Sequence, residues 1–312
     1  METTLNPTID PDPVPPLRFS PVTLDTIPLL QSYLLRANSL SCDYSVGGIY
    51  MWAEYFSYQY CIAHDTLFLR GVAEDNRHEM AFSLPMGALP LEQCVALLRR
   101  YCGQQGVPLV FSAISEERIA DFDALHPKAV TELTQWGDYI YRIGALATFK
   151  GKRLKQKRNH VNRFAALYPQ AQSVPITADL LPAVRRCFER VCATPADSGM
   201  AAYERRQVWQ VLNHLEQYPF ESLCIVVDGE VAGFTLGEVQ GRVMLDHIEK
   251  SLHGEYEGVN EVLCRNFAAH VMAKYPTVEF INREDDAGDD GLRQSKLSYC
   301  PELILKKYDV IF

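Results

Sequence analysis

Two β-rich runs, residues 223–227 and 231–239, are joined by Asp228-Gly229, and this dipeptide narrows the possible folds more than any other part of the chain. Asp-Gly accepts the positive φ angles of a two-residue turn whose twist matches its flanking strands, so the runs predict an antiparallel hairpin. Residues 242–252 (RVMLDHIEKSL) then alternate. A third strand follows, with Val243, Leu245, His247, Glu249 and Ser251 on one face and Met244, Asp246, Ile248 and Lys250 on the other. Residues 259–273 carry Val259, Val262, Leu263, Phe267, Val271 and Met272 at nearly helical spacing, and Pro276 ends that helix. A short buried strand at 278–282 comes next. Arg283-Glu284-Asp285-Asp286 stands at its carboxyl end, where open sheets flanked by helices bind ligands. Residues 292–299 predict a last helix before Pro301.

An earlier stretch repeats this order. A hairpin (58–63 and 66–72, joined around His64-Asp65), a strand at 79–84, a helix at 91–102, a strand at 107–113, a short helix at 117–125 and a closing strand at 138–143 match the later set, which closes with 303–310. Helices at 177–191 and 203–217 introduce the second half. A helix at 23–35 introduces the first, followed by residues 43–56, where Tyr44, Tyr50, Trp52 and Tyr55 surround Gly47-Gly48. These aromatics read as core or as the wall of a ligand cleft, with Tyr44 and Trp52 as substrate-binding candidates. A chain of 312 residues has room for two domains, each able to bury its own core. The expectation is an α+β tandem duplication: a flexible, proline-rich arm over 1–17, domains over 18–148 and 166–312, and a basic interdomain helix over 149–165.

A formal charge of -9 argues against general nucleic-acid coating, and it makes one stretch conspicuous. Residues 149–164 carry Lys150, Lys152, Arg153, Lys155, Lys157, Arg158 and Arg163 without an acidic residue. This is a solvated helix face or an anion site, and Lys152, Lys155, Lys157, Arg158 and Asn159 are the candidates for holding a polyanion. No apolar run approaches the roughly 20 residues of a membrane span, and the N-terminal residues lack the basic and apolar regions of a signal peptide, so a cytoplasmic protein is expected. The nine cysteines form no C-x-x-C pair, which points to buried reduced thiols. No P-loop, dinucleotide fingerprint or nucleophile elbow is present. The acidic residues at 284–286, 289 and 290 lack EF-hand spacing, and no metal is expected.

Together, the aromatic segment from Tyr44 to Trp52, the basic 150–164 stretch, His247-Ile248-Glu249-Lys250, Asn282-Arg283-Glu284 and Lys296-Leu297-Ser298-Tyr299 resemble a bacterial family, that of the C-terminal catalytic domain of phosphatidylglycerol lysyltransferase. The resemblance covers nearly everything from Arg18 onward. It implies a tandem pair of GNAT-type domains, similar to the Fem peptidyltransferases that use aminoacyl-tRNA. It further implies transfer of an acyl or aminoacyl group to an amine or hydroxyl, for instance a small molecule or a lipid head group. His247 or Glu249 would take the acceptor's proton, and Tyr299 would return one to the leaving group. Lys250, Asn282, Arg283, Glu284 and Lys296 are the further substrate-binding candidates. The loop 253–258 and Glu261 set three carboxylates where a GNAT enzyme seats the coenzyme A pyrophosphate. Aminoacyl-tRNA is therefore the expected donor in preference to acyl-coenzyme A, and the alternative is a non-catalytic binding protein that has lost its donor site.

Overall fold

The computed structural model describes residues 17–76, 78–193 and 198–312. Apart from Leu17, the arm expected over 1–17 lies outside them. In chain order the first half runs through β1 (Ser20–Pro21), α1 (Ile27–Leu34), α2 (Val46–Tyr50), β2 (Gln59–Ala63), β3 (Thr66–Val72), β4 (Met80–Phe82), β5 (Met86–Gly87), α3 (Leu91–Gln105), β6 (Val110–Ser115), α4 (Ile119–Asp123), β7 (Ala129–Glu132) and β8 (Asp138–Arg142). Helices α5 (Ile143–Thr148) and α6 (Lys155–Leu167) lead on. The second half holds β9 (Gln172–Val174), α7 (Leu181–Val191), α8 (Gly199–Asn213), β10 (Glu221–Val227), β11 (Glu230–Gln240), β12 (Val243–Ser251), α9 (Val259–Lys274), β13 (Phe280–Asn282), α10 (Asp290–Ser298), β14 (Leu303–Leu305) and β15 (Lys307–Ile311). Both hairpin turns hold two residues at positive φ, Asp228 and Gly229 in one, His64 and Asp65 in the other. That is the geometry a tight hairpin demands. Among the described residues no helix is long and apolar enough to cross a membrane.

The repeat is realised in two mixed sheets with equivalent strand orders, β1-β2-β3-β4-β6-β15-β7 and β9-β10-β11-β12-β13-β8-β14. In each, three antiparallel strands meet one parallel neighbour, β6 beside β4 and β13 beside β12. The closing strands correct the sequence reading. Residues 138–143 read as closing the first set, yet β8 lies in the second sheet between β13 and β14. The run 303–310 is two strands. β14 stays in the second sheet, and after Lys306 the chain crosses over, so that β15 pairs with β6 and β7 in the first. Alternation identifies a strand but not its partner, so the exchange leaves no local trace. The division at 149–165 thus follows the order of the chain rather than the make-up of the sheets.

A buried ion cluster marks the crossing. Lys307 opens β15 and Asp138 opens β8; the Lys307 Nζ lies 2.8 Å from Asp138 Oδ1 and 2.7 Å from Asp43 Oδ2, with its side chain 2% exposed. Burial would depress the ammonium, but Asp138 and Asp43 hold its pKa well above the ordinary lysine value. Burial likewise works to raise Asp138, and Lys307 pulls it below the usual carboxylate range. Asn282 Nδ2 donates to Asp138 Oδ2 (2.8 Å) and to the Leu40 carbonyl (2.7 Å), so this residue, a binding candidate by sequence, spends its amide on the seam. Cys42, Asp43 and Asp138 offer ligand atoms within 4.8 Å of one another, but Lys307 already meets their charge. The largest apolar cluster also spans both halves, joining Leu30, Phe68 and Phe111 to Phe188, Val211 and Phe234.

Candidate functional site

The site is created where β12 and β13 part. They pair only from Val243 to Leu245 against Phe280 to Asn282. Past Asn282 the chain turns away through Glu284, whose φ of 58° is left-handed and whose N–H donates to Asn282 Oδ1 at 2.6 Å. A non-glycine residue held there stores strain, as functional turns often do.

A β-bulge sets which side chains face the gap. Leu236 pairs with Ile248 and Gly237 with Asp246, leaving His247 as the extra residue. Gly237 makes room for it, since a Cβ there would lie 2.2 Å from the Leu245 carbonyl oxygen. The bulge overturns the strict alternation expected of β12. Met244 packs in the α9-side core and Ile248 in the core shared with α7, and beyond the bulge Glu249 joins Asp246 on Arg283, while Lys250 pairs with Glu204 of α8. His247 and Glu249 therefore work on opposite faces. Gly237→Ala is expected to lower stability by about 1–3 kcal/mol, the usual cost of overpacking; urea unfolding checks it, and an unchanged midpoint would remove the steric argument.

On the α9 side Arg283 is the centre. Its Nη2 lies 3.0 Å from Glu249 Oε1 and its Nε 3.6 Å from Asp246 Oδ2, and Thr235 Oγ1 donates to Asp246 Oδ1 at 2.7 Å. The guanidinium stands 4.8 Å from the centre of the Tyr299 ring, which also carries the Lys157 ammonium at 3.7 Å. Two buried atoms are left over: Arg283 Nη1 and Glu249 Oε2 have no hydrogen-bond partner among the described residues. Their side chains remain 12% and 17% exposed, while the two atoms themselves are covered. Burial opposes the Arg283 charge, but Glu249 and its neighbours hold the guanidinium well above its ordinary pKa. Burial also drives the Tyr299 phenol well up, which keeps it protonated.

Asp246 is pushed from 3.8 to about 7, first by burial and then by the charge of Glu249. The native protein thus keeps a proton that the unfolded chain releases, and stability falls as pH rises from about 4 to about 7. Asp246→Asn is expected to flatten that slope. Urea midpoints at pH 5 and 7.5 test it, and parallel curves for variant and wild type would refute the assignment.

On the other face, His247 Nδ1 lies 2.7 Å from Glu284 Oε1, and the ring sits 5.4 Å from that of Phe220. Burial lowers the imidazole, yet the bond to Glu284 and its charge raise it above the ordinary value. Nε2 has no partner among the described residues, but it abuts Gly47, where a Cβ would come within 2.4 Å of it. No acceptor fits between them, so His247 is a packed dyad member rather than an accessible base. Tyr44 leaves the site altogether. It is fully buried, its hydroxyl accepting from the Ser115 N–H and donating to the Ala113 carbonyl, each at 3.1 Å. Trp52 stacks on Tyr203 at 5.5 Å, and Lys296 Nζ donates to the carbonyls of Arg283 and Asp285, bracing the turn.

The basic helix and the acidic loop answer each other. Glu255 pairs with Arg190, Glu257 with Arg163 and Glu261 with Lys157, so the three carboxylates are neutralised rather than free. Arg158 is spent on the carbonyls of Phe149 and Gly151. Lys152, Lys155 and Asn159 are exposed, as are Lys150 and Arg153, and no acidic partner lies near these four cations among the described residues. Helix α6 lies across the start of α9, and a Cβ on Gly258 would fall 2.6 Å from the His160 carbonyl oxygen. Sequence reasoning missed Asp246, Thr235 and the seating of Lys157 on Tyr299. An isolated glycine within a strand, here Gly237, was the available sign of the bulge that unites them.

Comparison with known proteins agrees with this architecture. A conserved protein of unknown function from Bacteroides thetaiotaomicron has the same fold with a TM-score of 0.85 at 27% identity, over 95% of this chain and 99% of that one. L-PGS from Bacillus licheniformis superimposes with a TM-score of 0.60 at 12% identity, covering 84% of this chain and 90% of that one, a likeness of fold. A protein described as uncharacterized from Mycoplasmoides gallisepticum is 23% identical over 175 residues, and the match spans about half of that relative, 54% of its length. The fold is the paired GNAT-like, α+β arrangement that the resemblance implies. The profile of the phosphatidylglycerol lysyltransferase C-terminal domain matches residues 36–311, and the chain belongs to that family.

Proposed function

We propose that the protein transfers an aminoacyl group from aminoacyl-tRNA to an amine or hydroxyl acceptor at the gap between β12 and β13. The observation that carries this reading is the pair of buried, unpartnered atoms there, Glu249 Oε2 and Arg283 Nη1. A buried polar atom without a partner costs on the order of 1–3 kcal/mol, so a site that keeps two has a use for them. Glu249 takes the proton of the acceptor as its oxygen or nitrogen attacks the ester carbon. The negative charge that gathers on the carbonyl oxygen is met by the Arg283 Nη1–H. As the ester C–O bond breaks, the Tyr299 hydroxyl gives its proton to the departing ribose oxygen.

The donor is argued from what surrounds α9. Helix α6 covers the position at which a pyrophosphate would sit, which disfavours coenzyme A, while the exposed Lys150, Lys152 and Arg153 of the turn before it and Lys155 at its start suit a phosphate backbone. The acceptor is a small molecule or a lipid head group. Incubation with a panel of radiolabelled aminoacyl-tRNAs, together with amine and phosphatidylglycerol acceptors, is expected to give labelled product, and acyl-coenzyme A to give none. Failure of every charged tRNA would leave the non-catalytic binding protein as the better reading.

Reversing Lys152, Arg153 and Lys155 to Glu is expected to abolish tRNA binding without changing the unfolding midpoint. For about three phosphate contacts, log affinity should fall against log salt with a slope of about -2. Filter binding at several salt concentrations decides it. A flat salt response would return this helix start to a solvated surface.

A further inference from the structure

A second pocket lies outside the transfer site, between α6, α9 and the β9–β10 edge, with a volume of about 150 Å³. Val161, Phe164, Tyr168 and Ile225 line it with apolar surface, and Arg265, Asn266 and Ser173 close its polar side. The polar side is partly built: Asn266 Nδ2 donates to Ser173 Oγ at 2.6 Å, and Arg265 Nε donates to Asn266 Oδ1 at 3.0 Å. The two terminal nitrogens of Arg265 have neither a carboxylate within ion-pairing reach nor a hydrogen-bond partner among the described residues.

Three other guanidinium groups of this chain each place a terminal nitrogen on an acceptor: Arg283 on Glu249, Arg293 on Asp286, and Arg185 on the Leu212 carbonyl. Arg265 alone of these four stands half-buried beside a cavity with its fork empty, and burial pushes its pKa down because no anion offsets the loss of water. A planar fork with two free N–H groups matches a carboxylate in bidentate fashion. A cavity of about 150 Å³ has room for one benzene-sized ring, and the half-buried Tyr168 can pack its ring on such a body.

From the cavity, its apolar wall and the unpaired fork we infer that this pocket binds a ring-sized monoanion, an aromatic carboxylate, with its carboxylate on Arg265. The site is independent of the transfer chemistry, but it shares helices with it. Val161 lies one turn beyond Lys157 on α6 and Val262 directly follows Glu261 on α9, so an occupant braces the two helices that carry the Lys157–Glu261 pair.

The test uses benzoate and the full chain. Benzoate is expected to raise the melting temperature in a saturable, dose-dependent manner. Arg265→Gln is expected to weaken this response at least tenfold while melting like the wild type without ligand. Cyclohexanol, of similar size but neutral, and inorganic phosphate, charged but without a ring, are expected to bind at least tenfold more weakly than benzoate. If Arg265→Gln lowers the melting temperature by itself, benzoate titration of the wild type followed by the NMR shifts of the Tyr168 and Phe164 rings decides instead, and unmoved rings overturn the inference. Equal binding by cyclohexanol overturns the role of charge, equal binding by phosphate overturns the ring, and no response to benzoate at tens of millimolar overturns the site.

Discussion

Lys307→Met should cost about 3–5 kcal/mol of stability, the range expected when one partner of a buried ion pair is removed. The substitution roughly conserves volume, so packing is little changed; what remains is Asp138, wholly buried, and Asp43, both without their cation. Asp138 still accepts from the Cys42 N–H at 3.0 Å and from Asn282 at 2.8 Å, which softens the penalty without meeting the charge. Lys307→Met combined with Asp138→Asn should recover part of the loss, because one stranded charge is then gone. Urea unfolding of the three proteins measures both effects. A single variant within about 1 kcal/mol of wild type would mean that the cluster does not hold the sheets together.

The second large effect is catalytic. Glu249→Gln is expected to lower kcat by about 10²- to 10⁴-fold with KM little changed, as the loss of a general base does. Glutamine keeps the shape of the side chain and an acceptor for Arg283 Nη2, so the guanidinium stays in place while the proton acceptor is lost. His247→Gln is the control. Its Nε2 faces Gly47 rather than the gap, so that variant should retain activity to within about tenfold, with any loss following from the packing of Glu284. Reversal of this ranking, with Glu249→Gln active and His247→Gln inactive, would move the chemistry to the other face of β12.

Local signals carried much of the architecture. Asp228-Gly229 fixed a hairpin, the helical spacing from Val259 onward placed α9, and Pro276 ended it, because each feature acts through its own few residues. The duplication was readable for the same reason. The exchange of β8 and β15 was not, since Asp138 and Lys307 pair across a distance in sequence that no local pattern records. In the site, Glu249, Arg283 and Tyr299 were identifiable and do converge. Their grouping was not, because one extra residue at His247 reverses the facing of everything after it. Tyr44 misled for a plain reason: a tyrosine with both hydrogen-bond roles met in a core looks, in sequence, like one that waits for a ligand.

The exchanged strands also set a schedule for how the molecule assembles. β15 inserts between β6 and β7, and Ser112 of β6 bonds Asp309 of β15 from 197 positions away. On the ribosome, at roughly 5–20 residues per second, the strands of the first sheet exist for about 10 s or more before their missing neighbour is made. During that interval β6 and β7 are open edges, the surface on which chains mispair. The first half therefore has to wait for the second, and the two should melt as one cooperative unit with slow, non-local folding.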